Sequence, residues 1–425
     1  MQGAFINYNH ERETTASAVF HARELLQFRS EPANQGNTST FAPIGVAQPE
    51  FGISAVRAAV QPARSALFYA LICLLFTVAG VAAVWNSNRV YAPEMYDDAG
   101  LTQAAAAFAN GQNYAVFDLN LNIRRLRDLH LAQMKVTPDV AIMGASHWQE
   151  ANSGLVRHLN FYNAHVHRDY WEDMLAVTEI FVRHDRLPKR LIISVRDKLF
   201  TPMANRKDFL WEPGIPYYRP MAARLGVETE GYWTSFPYQR LRERLTLSLL
   251  FSNVRRWYNA EELPHPTDAK HFETLDTLLP DGSITWSNQR MQLFTPQRAE
   301  REAIAFAEKQ RNNPPMVEER GVVAFNKLLD FLKSQGVTVY LVQPPFNPIY
   351  YDRLQGSPYA EGLHNIEVLT QKIAADHGLK IIGGFNPHKV GCDASMFIDA
   401  EHSNATCLQH IFDEFSALDI AQGAK

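Results

Sequence analysis

Cysteine is scarce in this chain, which has three cysteines among 425 residues. So few cysteines exclude a small fold cross-linked by many disulfides, and they argue against a structural zinc cluster. Positive charge is not in excess either, because the formal net charge is −4 at pH 7, so nothing indicates a nucleic-acid partner. A glycine-rich phosphate loop is also missing from the sequence. We therefore expect neither nucleic-acid binding nor a cofactor.

Long apolar runs are rare, and one of them stands out. It is the uncharged segment at residues 66–85, ALFYALICLLFTVAGVAAVW. As an α-helix that rises ~1.5 Å per residue it spans ~30 Å, the thickness of a bilayer core. A cleaved signal peptide is the alternative, but such peptides lie at the extreme N-terminus, whereas residues 1–65 precede this segment. The sequence therefore predicts a membrane anchor, preceded by a polar, aperiodic and disordered cytoplasmic tail over residues 1–65.

The charges beside this segment predict its orientation. Arg57 and Arg64 precede the segment, and Arg89 follows it. Because flanking Lys and Arg residues stay on the cytoplasmic side, we expect a single-pass protein of the cytoplasmic membrane with its N-terminus inside. Residues 86–425 are then periplasmic or otherwise extracytoplasmic.

Two of the cysteines bracket one short segment near the C-terminus. Cys392 and Cys407 lie on either side of Asp399 and His402, while Cys73 lies in the apolar segment. In an oxidising compartment the two C-terminal cysteines are candidates for a disulfide. The alternative is that both are simply small buried residues.

From Pro138 onward, short apolar runs alternate with helical segments. This alternation predicts an α/β domain at residues 138–425, with a doubly wound parallel sheet between two helical layers. The five predicted strands are 139–144, 159–164, 190–195, 337–343 and 379–384. Residues 86–137 form a predicted helical connector. Residues 200–315 break the rhythm and are too long for a simple loop, so they form a predicted insertion between the third and fourth strands.

Two short motifs carry candidate chemistry, and each is weak alone. The first is GASH, at Gly144–His147 directly after the first strand, where ligands bind in open α/β sheets. A serine at a helix start there can lie near an oxyanion, although many such serines are only N-caps. The second motif is FIDAEH, at Phe397–His402 before the last helix. An Asp three residues before a His can orient an imidazole that accepts a serine proton.

Together the two motifs gain weight, because a doubly wound sheet brings the loops after its first and last strands to one edge. The arrangement resembles the SGNH (GDSL-like) hydrolase superfamily over residues 138–199 and 337–418. GASH stands where that family has its serine block, and FIDAEH stands where it has its DxxH block. The resemblance implies a flavodoxin-like five-stranded α/β/α fold. It also implies Ser146 as nucleophile, His402 as general base and acid, and Asp399 as the orienting carboxylate.

The sequence departs from the family at the residues that bind the oxyanion. The family's second block has a glycine and its third an asparagine, but the corresponding segments here are 162–165, YNAH, and 194–197, SVRD. The candidate oxyanion donors are therefore Ser146, His165 and Arg196. A salt bridge from Arg196 to its neighbour Asp197 is the alternative for that arginine.

Within the superfamily, the chain is similar to DltD-like proteins and to the AlgJ/AlgX-like proteins of exopolysaccharide O-acetylation. The features shared are one N-terminal membrane helix, a G-(A/S)-S block and the VQPPFNP segment at Val342–Pro348. The resemblance implies an O-acyltransferase that receives acyl groups from a membrane-bound O-acyltransferase partner and modifies an extracytoplasmic polysaccharide. The aromatic residues of the insertion are candidates for stacking on sugars, or else they form the insertion's own core. Those named as candidates are Trp211, Tyr217, Tyr218 and Trp233.

Other functions stay open at this point. An esterase or deacetylase of the same fold differs only in using water as acceptor, and a non-catalytic scaffold for polysaccharide assembly is a third possibility. A metal site is not expected, because His165 and His167 form an HxH pair without a third ligand placed by spacing.

The predicted orientation can be tested with alkaline phosphatase fused to the C-terminus of the full chain in a bacterial host. We expect an active fusion, because the phosphatase folds only outside the cytoplasm, where its disulfides form. A control fusion after residue 65 is expected to be inactive. An inactive C-terminal fusion with an active control would reverse the predicted topology.

Overall fold

The computed structural model describes residues 53–91, 99–116, 121–156, 159–167, 169–201, 215–228 and 264–423, together with positions 251 and 258. Its first helix, α1, runs over Ile53–Tyr91 and therefore begins inside the predicted tail, of which residues 1–52 lie outside the described residues. The stretch Leu67–Asn86 has a mean hydropathy of 2.5 and is 0% buried. This helix is long and apolar enough to span a membrane.

After α1, the strands and helices predicted for the α/β domain are present in the predicted order, with further elements between them. In chain order they are α2 (Ala99–Ala109), β1 (Asn113–Val116), α3 (Ile123–Gln133), β2 (Val140–Met143), β3 (Phe161–Asn163), α4 (Trp171–Arg183), β4 (Arg190–Ser194), α5 (Ile215–Arg224), β5 (His265–Thr267), β6 (Asp276–Leu278), β7 (Ile284–Thr285), α6 (Asn288–Leu293), α7 (Pro296–Gln310), α8 (Glu319–Ser334), β8 (Thr338–Gln343), α9 (Pro348–Leu354), α10 (Pro358–His377), β9 (Lys380–Gly383), α11 (Pro387–Val390) and α12 (Ala405–Gly423).

Five strands form one parallel sheet in the order β3-β2-β4-β8-β9. All five lie within the segments predicted as strands. Their registers pair Val140 with Phe161 on one side and with Arg190 on the other. The strands are nearly continuous apolar runs because a parallel sheet is buried on both faces.

Successive residues of β2 contact different cores. Ala141 and Met143 belong to the larger core, which also contains residues of α4, α8 and α10. Val140 and Ile142 belong to a second core, built with residues of α12. Alternate side chains of a strand point to opposite faces, so the two cores lie on opposite faces of the sheet. Helices therefore cover the sheet on both sides.

A second, antiparallel sheet has the order β5-β1-β6-β7. Its strand β1 lies in the connector, so the prediction that residues 86–137 are only helical is wrong at Asn113–Val116. The other three strands come from the predicted insertion. Four residues are too few to show a strand period, and β1 is held in extended form by partners far along the chain, such as Thr267 and Leu278. The helices predicted in the connector are present as α2 and α3, whose apolar residues join the larger core.

The turn between β6 and β7 attaches the antiparallel sheet to the parallel one. Backbone hydrogen bonds join the N–H of Asn163 to the carbonyl of Asp281 at 2.6 Å and the N–H of Ile284 to the carbonyl of Gln149 at 2.9 Å. Gly282 in this turn has φ +84°, and a Cβ there would lie 2.2 Å from the carbonyl oxygen of Asn163. The close approach therefore requires glycine. It fixes the insertion beside the loop that follows β2.

Candidate active site

Ser146 lies just beyond the carboxyl end of β2, in a turn of 3-10 helix at Ser146–Trp148. The expectation of a helix start is thus met only by a single turn, which is too short to supply a helix dipole. Gly144 lets this turn pack tightly, since a Cβ at Gly144 would lie 2.5 Å from the Trp148 ring and 2.7 Å from Cβ of Ser194. The indole of Trp148 is fully buried. The local sequence therefore fixes the serine backbone at the sheet edge.

His402 joins Ser146 to Asp399. The Oγ of Ser146 lies 2.8 Å from Nε2 of His402, and Nδ1 of His402 lies 2.7 Å from Oδ2 of Asp399. Because an ionised carboxylate can only accept, we assign the ring proton to Nδ1, which leaves Nε2 to accept from the serine hydroxyl. The three residues predicted as a triad are thus brought together in the order that proton transfer requires.

Backbone contacts hold the carboxylate in place. Oδ1 of Asp399 accepts from the N–H groups of Glu401 and His402, both at 2.8 Å. The side chain of Asn347 donates to the carbonyl of Asp399 at 3.1 Å, and its N–H donates to the carbonyl of Ala400 at 3.0 Å. Asn347 is fully buried just after β8. This asparagine therefore ties the Asp399 loop to the end of β8.

A disulfide closes the segment that contains the loop. Cys392 and Cys407 are bonded, with Cα atoms 5.3 Å apart and a sequence separation of 15. The pairing is the one proposed from the sequence. Cys407 lies in the first turn of α12, and its N–H donates to the side chain of Asn404. By constraining the unfolded chain, closure of such a loop contributes about 3 kcal/mol.

The electrostatics of the triad suit a paired carboxylate and imidazole. Burial lowers the pKa of His402, but the charge and hydrogen bond of Asp399, with Glu401 and Glu150, outweigh it and raise that pKa to about 9. Burial raises the pKa of Asp399, but the charge and hydrogen bond of His402 lower it to about 2. The side chains of His402 and Asp399 are 24% and 32% exposed, so solvent reaches the pair and weakens both effects.

A charge cluster lies beside the triad, with Asp197 fully buried and with Lys198 and Glu401 partly buried. Lys198 lies 3.7 Å from Asp197 and 3.9 Å from Glu401, the neighbour of His402. The hydroxyl of Tyr359 donates to Asp197. Burial lowers the pKa of Lys198, but the two carboxylates outweigh it and raise that pKa. His402 therefore lies beside a cluster in which Lys198 is paired with the carboxylates of Asp197 and Glu401.

Arg196 has a different partner from the one considered from the sequence. Its Nε lies 3.0 Å from a carboxylate oxygen of Asp169 and 3.2 Å from the carbonyl of the same residue. The sequence suggested Asp197, but that residue lies in the turn after β4, and its carboxylate accepts from the hydroxyl of Tyr359 instead. Arg196 lies close enough for its charge to lower the pKa of His147. It thus remains near the site with its Nε already engaged.

The backbone of His165 does not supply the predicted oxyanion donor. Its N–H donates to the side chain of Asn163 at 3.0 Å, and the Nδ1 of its ring contacts the same oxygen. The amide nitrogen of Asn163 donates in turn to the carbonyls of Trp148 and Ala151. Asn163 and His165 therefore brace the serine turn. Of the backbone donors considered, the N–H of Ser146 is the one with no acceptor among the described residues.

The proposed sugar-stacking residues are not arranged as a binding surface where they are described. Tyr217 is 4% exposed and Tyr218 0%. Tyr217 donates to Asp128 at 3.1 Å, and the ring of Tyr218 packs edge-on against Trp171. Both tyrosines belong to the core, so this prediction is wrong for them. The other two candidates, Trp211 and Trp233, lie outside the described residues.

Glu150 is a neighbour of the triad that no sequence motif indicated, and its partner Trp286 was not predicted either. The indole N–H of Trp286 donates to Glu150 at 2.6 Å, and Glu150 contributes to the raised pKa of His402. Glu150 follows the serine turn closely, which is a usable signal, but no spacing rule could pair it with a tryptophan of the insertion. Asn347 was visible only as part of the VQPPFNP segment.

Metal ligands are not grouped in the part of the chain that the structure describes, where no set of three His, Cys, Asp or Glu residues is suitably placed. A separate cavity of about 810 Å³ opens near the amino ends of β2 and β3, lined in part by Asn113, Asn152 and Asp281. None of the three triad residues lines this cavity, so it does not extend the triad site.

Comparison with protein-family models, curated proteins and solved structures gives no match for this chain.

The pH dependence of serine acylation tests the assigned base. The rate constant kcat/KM with an activated acetyl ester is expected to rise with pH through the pKa of His402, about 9, because only the neutral imidazole accepts the serine proton. Asp399→Asn removes the charge that raises this pKa, so the inflection should move to lower pH and the maximal rate should fall ~10³–10⁴-fold.

Asp393→Asn is the matched control, because Asp393 caps a nearby turn through Ser395 and an asparagine keeps that contact. Its profile should match that of the unsubstituted protein. Superimposable profiles for Asp399→Asn and the control would contradict the assignment of His402 and Asp399.

Proposed function

We propose that this protein is a membrane-anchored SGNH-like serine O-acyltransferase that modifies an extracytoplasmic polysaccharide. The observation that carries the proposal is the hydrogen-bonded series Ser146–His402–Asp399, with 2.8 Å and 2.7 Å between the bonded atoms. A non-catalytic scaffold does not require these three side chains to be within hydrogen-bonding distance. The geometry therefore favours an enzyme over a scaffold.

The reaction proceeds by two acyl transfers. Oγ of Ser146 attacks the carbonyl carbon of the acyl donor, and Nε2 of His402 takes the hydroxyl proton. As the tetrahedral intermediate collapses, the bond to the leaving group breaks and His402 gives the proton to that group. Asp399 stays ionised and stabilises the imidazolium.

The second transfer regenerates the serine. A sugar hydroxyl attacks the acyl-serine while Nε2 of His402 takes its proton, and the ester bond to Oγ of Ser146 breaks. The proton then returns to Oγ. The backbone N–H of Ser146 is our first candidate for stabilising the oxyanion in both steps, because no described acceptor uses it.

The strand order supports the proposed fold family. Numbered along the chain within the parallel sheet, the order β3-β2-β4-β8-β9 corresponds to 2-1-3-4-5, the order of flavodoxin-like doubly wound sheets. Ser146 follows the first of these strands, and Asp399 and His402 follow the last. These are the positions that the serine and DxxH blocks occupy in the SGNH superfamily.

The proposed location rests on α1 and on the disulfide. A helix that is apolar over Leu67–Asn86 suits a single-pass anchor in the cytoplasmic membrane. A disulfide between Cys392 and Cys407 suits an oxidising compartment for the catalytic domain. The acyl donor would then come from a membrane-bound O-acyltransferase partner, which moves acyl groups across the membrane.

The nucleophile is tested with Ser146→Ala in the full-length protein. With an acetyl ester as donor and an oligosaccharide as acceptor, acetylated sugar and released acetate are both measured by mass spectrometry. We expect product formation to fall more than about 10³-fold, because the acyl-serine cannot form. Acetylated sugar as the main product of the unsubstituted protein supports transfer, whereas acetate alone would assign an esterase.

Ser153→Ala is the matched control, since Ser153 is an exposed serine in the next 3-10 turn. It should retain full activity. Full activity of Ser146→Ala would contradict the proposed function.

A further inference from the structure

His147 follows the nucleophile in the same 3-10 turn, and the proton relay does not use it. The residue is 4% exposed, and neither of its ring nitrogens has a hydrogen-bond partner among the described residues. A buried polar ring without partners is unfavourable for stability. Its presence beside the nucleophile therefore requires an explanation other than its own hydrogen bonding.

The ring of His147 is stacked on the ring of His402. The two centroids are 5.4 Å apart, and the ring planes make an angle of 26°. Offset stacking at this separation is an attractive arrangement of aromatic rings. One face of the triad imidazole is thus covered by the residue that follows the nucleophile.

The hydrogen bonds of His402 are made by its ring nitrogens and do not hold this face in place. The bonds at Nδ1 and Nε2 hold two ring atoms from within the ring plane. Rotation of the ring about the Cβ–Cγ bond would move Nε2 out of that plane and away from Oγ of Ser146. A ring packed against the face opposes that motion and excludes water from it.

The charges around His147 suit a ring that stays neutral. His402 and Arg196 face it with positive charge, and Asp197 and Asp399 face it with negative charge. Burial and the first two groups hold the pKa of His147 well below 6.5. A neutral neighbour does not repel the imidazolium that His402 becomes when it takes the serine proton.

We propose that His147 is a positioning residue that stacks on His402 and holds its ring at the angle required for proton transfer from Ser146. The proposal rests on the proposed function, in which His402 is the base for Ser146. In this role the ring face of His147 contributes to proton transfer by holding His402, and the ring nitrogens of His147 contribute nothing.

The test measures labelling of Ser146 by a fluorophosphonate probe in the full-length protein, followed by intact mass at several probe concentrations and pH values. His147→Ala should lower the maximal labelling rate ~10–100-fold, as expected for a misoriented catalytic group, with little change in the half-saturating probe concentration. His147→Phe restores an aromatic face without nitrogens and should return the rate to within a few-fold of the unsubstituted protein. His364→Ala, at a histidine whose side chain is 72% exposed, should be without effect.

The outcomes separate this proposal from the proposed function. If the unsubstituted protein is not labelled at Ser146, the proposed function fails. If it is labelled and His147→Ala reacts equally fast, only the positioning role fails. Equal slowing of His147→Ala and His147→Phe would overturn the role of the ring face and assign the effect to the nitrogens. Should His147→Ala fail to fold, the rate of His147→Phe alone decides between these results.

Discussion

One hydrogen bond, between Ser146 and the imidazole of His402, connects segments that lie 256 positions apart in the chain: the turn after β2 and the loop before α12. Neither segment is ordered by its own sequence alone. The serine turn depends on Gly144 packing against Trp148, and the Asp399 loop depends on Asn347 and on the disulfide at Cys392. The parallel sheet brings them together because the carboxyl ends of its strands lie at one edge.

The charges around His402 are arranged to favour its protonated form. Asp399 contributes most, and Glu401 and Glu150 add to it against the effect of burial. Glu401 is in turn paired with Lys198, so the negative charge beside the triad is partly balanced. In the proposed mechanism, such an arrangement would stabilise the imidazolium that forms during each transfer.

Much of the fold could be predicted from the sequence, because strands buried on both faces must be apolar throughout. This constraint marked all five strands of the parallel sheet. Ser146 was a candidate because GASH follows the first strand, and Asp399 and His402 because they form a DxxH motif before the last helix. Their roles as a triad came from the resemblance to the SGNH superfamily. The antiparallel sheet was missed because β1 has only four residues, and its partners are far along the chain. A pattern of neighbouring residues does not show that a strand pairs with a segment far along the chain.

The wrong predictions for individual side chains have a related cause. Tyr217 and Tyr218 were candidates for sugar binding, but an aromatic residue in an insertion has the same sequence signature whether it lines a cleft or a core. The partner of Arg196 is Asp169, a residue brought close by folding, whereas the sequence suggested its neighbour. His147 stood next to the serine, but its importance depends on a ring contact that only the folded chain creates.

The central claim is that Ser146 carries the acyl group. The most direct measurement is the mass of the peptide that contains Ser146, taken after the full-length protein has been mixed with an activated acetyl ester and quenched in acid. We expect an acetyl group on Ser146 that disappears when an acceptor sugar is added. Turnover of the ester with no acetyl group on that peptide, or with a stable one elsewhere in the chain, would contradict it.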